Sequence, residues 1–101
     1  MYTLTILPTA VQDLKEASEW YSYQQMGLGH LFLNRIREKG NFIQSFPFAF
    51  PEKFKDVRVA KVRQFPFLIH YHISDSENTV IVFAILHTSR NPQTLKKRMN
   101  W

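Results

Sequence analysis

The chain has 101 residues, 45% of them hydrophobic and 21% charged, which suits one globular domain over 1–101 and argues against wholesale disorder. It has no cysteine, which excludes a disulfide frame and a thiolate metal site; no window reaches the roughly 18 apolar residues of a membrane span, and no secretory start is present, so the expectation is a cytoplasmic protein with no membrane partner. A net charge of +5 suits an anionic partner, either an acidic protein or nucleic acid.

Tyr2 to Leu7 alternates and reads as a strand that Pro8 stops. Thr9 with Gln12 has the spacing of a capping box, which predicts a helix from about Ala10. Its apolar stripe is Val11, Leu14, Ser18 and Tyr21, widened by Ala10, Ala17 and Trp20. Asp13 and Glu16 are expected in the first turns, where the macrodipole favours acids. Gly27 and Gly29 permit a tight turn. A second helix follows from Leu28 to Ser45, with Leu28, Phe32, Ile36, Ile43 and Phe46 near one stripe and a weak point at Gly40. The two form an antiparallel helical hairpin. Phe46 to Pro51 is an aromatic, proline-rich connector expected to plug the edge of the core.

Phe54 to Arg63 reads as a weaker strand. Val57, Val59, Lys61 and Arg63 share one face of it, and Arg58, Ala60 and Val62 the other. Phe67 to Ile73 and Thr79 to His87 are rich in β-branched and aromatic residues and form a hairpin around the polar loop Ser74 to Asn78. With Ile73 opposite Thr79, one face carries Phe67, Ile69, Tyr71, Ile73, Ile81, Phe83 and Ile85. The other carries Leu68, His70, His72, Val80, Val82, Ala84 and Leu86. The bulkier first face is assigned to the core. Asn91 and Pro92 mark the cap and first residue of a short last helix, with Lys96, Lys97 and Arg98 at its end.

Cations therefore gather at one end of the hairpin: Lys61, Arg63 and Arg90, with His87 beside them. Such a cluster can stabilise a phosphorane or grip a carboxylate, and His87 could move a proton. Lys61, Arg63, His87 and Arg90 are the candidate target-binding residues, and His87, Arg90 and Lys61 are the catalytic candidates if there is chemistry. The pair His70 and His72 has the spacing of some metal ligands but lacks a third, so no metal site is assigned.

The order of strand, two helices, three strands and short helix is an α+β arrangement. Together with Asp13-Leu14, Trp20-Tyr21, Gly27-Leu28-Gly29, Phe65-Pro66-Phe67, Tyr71, Ala84-Ile85-Leu86-His87, Arg90 and Pro92, it resembles the ParE/RelE superfamily of type II toxin–antitoxin toxins, the plasmid-stabilisation type, and the ParE branch most. The resemblance implies the helical hairpin packed on a small, mostly antiparallel sheet. It implies no cofactor and a cognate antitoxin whose tail wraps the toxin, with scope for larger toxin–antitoxin assemblies. Leu28, Phe32, His70 and His72 are the residues expected to meet that tail. ParE-type members inhibit growth by poisoning DNA gyrase, whereas RelE-type members cut messenger RNA on the ribosome. Lys61 and Arg90 fall where the RelE branch has functional cations, but Leu68 and Lys96 stand where it has an arginine and a tyrosine. The expectation is a gyrase inhibitor; the rivals are a ribosome-dependent endoribonuclease and a member that only pairs with its antitoxin.

Overall fold

The structure, a computed structural model, describes residues 1–99. Its elements are β1 (Thr3–Ile6), α1 (Pro8–Gln24), α2 (Leu28–Ser45), β2 (Glu52–Phe54), β3 (Val57–Lys61), β4 (Phe67–Ser74), β5 (Thr79–His87) and α3 (Pro92–Arg98). The sheet order is β1-β5-β4-β3-β2. Only β1 with β5 is parallel, so the sheet is mostly antiparallel, as expected. None of the described helices is long and apolar enough to cross a membrane.

The α1–α2 hairpin covers one face. Its core holds Phe32, Ile36 and Ile43 from α2, Ala10 and Ala17 from α1, and Ile69, Tyr71, Val82 and Ile85 from the sheet. Tyr21, Phe32, Phe65 and Phe67 cluster there, edge to face except for the tilted Tyr21–Phe32 pair, with Phe32 5.0 Å from Phe67 and 5.2 Å from Phe65, and each such side chain taken from water stabilises the fold by about 1.5–3 kcal/mol. The helices approach closely because Gly29 lies against α1: a Cβ there would meet Ser22 Oγ at 2.0 Å and the Ser18 carbonyl oxygen at 2.5 Å. The turn into α2 needs Gly27, whose φ of 82° is left-handed.

Several expectations are corrected. Helix α1 begins at Pro8, with Leu7 at the cap and no side-chain capping bond. Proline preorganises the first turn, which frees the Thr9 hydroxyl to donate to the Phe83 carbonyl at 3.4 Å. Asp13 lies beyond the first turn and is buried, and Val11 on the expected stripe is exposed; the inward seam is Ala10, Asp13 and Ala17. The expected strand Phe54 to Arg63 is two strands, β2 and β3, joined through Asp56 at a left-handed φ of 65°. In the Phe46 to Pro51 connector, Phe50 packs on the core, but Phe46 and Phe48 stay exposed. Helix α2 runs unbroken through Gly40.

The largest correction concerns the central hairpin. Ile73 pairs with Val80, not Thr79, and the register shifts between His70 and Tyr71, leaving Phe83 as the extra residue of a β-bulge. Near the loop this puts Val80 and Val82 in the core under the hairpin. Ile81, opposite His72, and Phe83 move to the other face. That second face is also packed. Val57, Phe83, Ala84, Leu86 and Leu95 form a smaller core there, with Val59 and Met99 packed against it.

Candidate functional site

At one end of the sheet β3 stops, β4 starts and β5 hands over to α3. Asn91 Oδ1 accepts from the Gln93 N–H at 2.9 Å and so starts α3, with Pro92 in its first turn. His87 and Arg90 sit at this junction and line two cavities. One, of about 470 Å³, lies between α1 and the sheet end, with Glu16, Trp20, Tyr21 and Phe67 on its walls. The other, of about 390 Å³, lies under α3 on the second face and is lined by Lys53, Leu68, His70, Leu86 and Lys96, among others.

Each expected residue has a definite place. The His87 ring lies edge to face on Phe67 at 5.4 Å. Its Nδ1 accepts from the Ser89 N–H at 3.0 Å and from the Ser89 hydroxyl at 2.8 Å, so the neutral ring carries its proton on Nε2. Arg90 is exposed, and its guanidinium makes no hydrogen bond or ion pair among the described residues. Lys61 turns back on its own chain: Nζ donates to the carbonyls of Phe65 at 3.3 Å and Val62 at 3.4 Å. Arg63 points to α2 and pairs with Glu38 at 3.5 Å. The structure thus joins His87 with Arg90, while Lys61 and Arg63 line neither cavity.

The four residues expected to meet an antitoxin tail do not form one surface. Phe32 is wholly buried among aromatic rings under the hairpin, with Leu28 packed beside it. His70 lies on the opposite face, 3% exposed, and its Nδ1 has no hydrogen-bond partner. Burial pushes its pKa below the usual imidazole range, opposed by the Ala84 backbone carbonyl. His72 sits near the loop end of the hairpin, where Nδ1 lies 3.0 Å from the Asp56 carbonyl.

Asp13 and Arg98 went unassigned as site residues. Asp13 Oδ2 accepts from the Ile85 N–H at 2.9 Å. Strand β1 has ended by this point, so α1 supplies the acceptor that a neighbouring strand would have supplied. The Arg98 guanidinium grips both Asp13 oxygens, with Nη2 to Oδ1 at 2.9 Å. The bond to Asp13 raises the Arg98 pKa further. Asp13 falls in a helical seam between Ala10 and Ala17, and an acid in a seam of small residues signals a buried partner. The cation had no local signal.

Chemically, the cavity under α3 offers Lys53, Arg90 and Lys96, with no carboxylate in its lining among the described residues. It fits an anionic group better than a cationic one. A ParE toxin model, of the type II toxin–antitoxin system parDE, matches residues 4–92. The fold and this sequence match define the class: the chain belongs to the ParE toxin family and is a type II toxin–antitoxin toxin of the ParE/RelE superfamily. Among solved structures it is similar to the chromosomal ParDE toxin–antitoxin system of Pseudomonas aeruginosa (P. aeruginosa), with a TM-score of 0.72 and 17% identity over 86% of this chain and 96% of that one. The intact E. coli RelBE toxin–antitoxin complex gives a TM-score of 0.69 and 16% identity over 89% of this chain and 100% of that one. The isolated E. coli RelE toxin gives 0.68 and 16% over 96% and 98%. No curated protein sequence matches the chain significantly.

Proposed function

We propose that the chain is a ParE-like toxin that arrests growth in the cytoplasm by binding DNA gyrase and that a cognate antitoxin neutralises it. One observation carries the choice of binding over catalysis. The cationic cavity under α3 includes Leu68 and Leu86 and, among the described residues, has neither a carboxylate nor a tyrosine in its lining; Glu16 and Tyr21 line the other cavity, between α1 and the sheet end. Metal-free RNA cleavage needs a group to take a proton and another to give one. His87 has Nδ1 engaged with Ser89, and His70 is almost wholly buried. Arg90 is different: an unpaired guanidinium at a cavity mouth can clamp a carboxylate through two parallel hydrogen bonds. The test is supercoiling by purified gyrase. Inhibition by the purified toxin, relieved by the product of an adjoining reading frame, is the expected result.

A second reading, a ribosome-dependent endoribonuclease, has one observation in its favour. His70 and His87 line the same cavity as Lys53, Arg90 and Lys96, and two imidazoles among cations are a workable acid–base set. Cleavage of ribosome-bound message with supercoiling untouched would select this reading and overturn the first.

A further inference from the structure

Helix α2 and strand β1 do not close fully over the main core. A cavity of about 280 Å³ opens between them, with Leu4 and Ile6 of β1, Leu14 of α1 and Leu33 of α2 on its walls and Ile69 and Val82 of the sheet at its floor. The floor is buried, while the four wall residues are only partly covered. Among the described residues its lining holds no aromatic ring and no acid. Arg37 and Asn41 are its polar side chains; they lie four apart on α2 and so share one side of that helix. Arg37 is exposed and has no ion pair among the described residues, its hydrogen bond there being from Nη1 to Asn34 Oδ1 at 3.4 Å. Its neighbour Glu38 is held by Arg35 and Arg63, at 3.5 Å each. Gly40 completes the rim. A Cβ there would meet only Leu4 Cδ2, at 3.7 Å, and the backbone is not left-handed, so neither crowding nor strain calls for glycine. Its missing side chain lowers helix propensity and leaves the cavity open. Apart from Ile85, the lining is distinct from that of the two cavities His87 and Arg90 share.

We propose that this cavity binds a free medium-chain aliphatic carboxylate, its alkyl chain between α2 and β1 and its carboxylate on Arg37 and Asn41. An apolar lining with a few convergent polar groups is how small-ligand sites are built, and the volume lies near the lower end of their range. Apolar walls hold water poorly and favour an apolar guest. The guest is an alkyl chain and not a ring, because leucine, isoleucine and valine offer a flat aromatic face nothing to stack against. The same lack disfavours nucleobases, which bind by stacking on rings. The head is anionic because the charge in the lining, among the described residues, is the Arg37 guanidinium alone. Its fork pairs with a carboxylate through two parallel N–H bonds, and the Asn41 amide beside it supplies another donor. A cationic head would meet a like charge with no acid in the lining to offset it.

The test is a titration of the whole, isotope-labelled chain with octanoate, followed by amide and methyl NMR shifts. Saturable shifts centred on Leu4, Leu33, Gly40 and Ile69 are expected, with a Kd of about 1 mM or below, the scale open to a ligand of this size. Hexanoate should bind about tenfold or more weakly, since each lost methylene costs about fourfold. Octylammonium and benzoate should each bind at least about tenfold more weakly than octanoate. Arg37→Gln should weaken octanoate about tenfold and leave neutral octanol unchanged, which separates the head contact from the chain contact. Gly40→Leu should fill the cavity and abolish binding of both. Arg37 is exposed, so its variant keeps the proposal testable if Gly40→Leu fails to fold. Arg90→Ala should bind octanoate as wild type does. Vesicles of an anionic phospholipid test the other source of an alkyl chain, and no binding to them is expected. Shifts centred on His87 and Arg90, equal binding of octylammonium, unchanged binding by Arg37→Gln, binding to vesicles without binding of octanoate, or no shift at about 10 mM would each overturn the proposal. The supercoiling assay is independent of all of these, so the choice of target stands or falls separately.

Discussion

Asp13 and Arg98, 85 residues apart, form a two-pronged ion pair that ties the last helix to the first. The same carboxylate holds the Ile85 N–H of β5, so one side chain joins three elements. Removing Arg98 leaves Asp13 buried with a single backbone bond, a situation that costs about 3–5 kcal/mol when fully buried and less here because Arg98 is partly exposed. We expect Arg98→Ala to cost about 2–3 kcal/mol in urea unfolding. Arg98→Lys should recover only part of this, because it keeps the charge and loses the fork. A loss under about 0.5 kcal/mol, the scale of a solvated surface pair, would remove the pair from any structural role.

Burial holds the His70 pKa below that of an unfolded histidine, with the nearby Lys53 charge adding to the effect against the Ala84 and Leu68 carbonyls and Asp13. The unfolded chain therefore binds the proton first as pH falls. Stability contributed by neutral His70 is present above about pH 6.5 and declines below it, at up to about 1.4 kcal/mol per pH unit until the folded-state pKa is reached. His70→Leu should flatten stability between pH 7 and pH 5 relative to wild type. Parallel pH profiles for the two proteins would place the acid sensitivity elsewhere.

The two helical glycines of α2 should respond in opposite senses. Gly29→Ala forces a Cβ onto the Ser18 carbonyl of α1, and we expect a loss of about 1–3 kcal/mol or more from overpacking. At Gly40 the nearest atom to an added Cβ is Leu4 Cδ2 at 3.7 Å, an ordinary contact. Gly40→Ala should stabilise by about 0.5–1 kcal/mol through helix propensity. Thermal melts of the pair decide it, and a stabilising Gly29→Ala would contradict the close helix crossing.

Phe83 is the bulged residue of β5 and packs with Leu95 of α3, not under the helical hairpin. Phe83→Ala should cost about 3–5 kcal/mol. Hydrogen exchange should quicken in α3 more than in α1. Faster exchange confined to α1 would restore the register that the alternation alone suggests.

Arg90→Ala is expected to abolish growth arrest, Arg90→Lys to weaken it clearly and His87→Ala to be milder, each measured beside a circular dichroism melt. The reverse order, a folded but inactive His87→Ala with an active Arg90→Ala, would favour the nuclease reading.

The pattern of residues carried the element types and their order, apart from the division of one expected strand into β2 and β3, and one face of β4. Period-two alternation in Phe67, Ile69, Tyr71 and Ile73 and the stripe of Phe32, Ile36 and Ile43 are local signals that survive folding. The family motifs are spread along the chain, so they too were legible without coordinates. Tertiary structure alone decided which way β5 faces between the loop and its bulge. One extra residue at Phe83 inverts the alternation, and nothing in the strand's own composition marks where that residue falls. It alone decided that Asp13 meets Arg98, because a long-range ion pair depends on where two helices come to rest and leaves no periodic trace. It also separated Lys61 and Arg63 from Arg90. All three look like one cluster in sequence, but a side chain binds the nearest compensating group, and here loop carbonyls and Glu38 lie closer than any shared mouth.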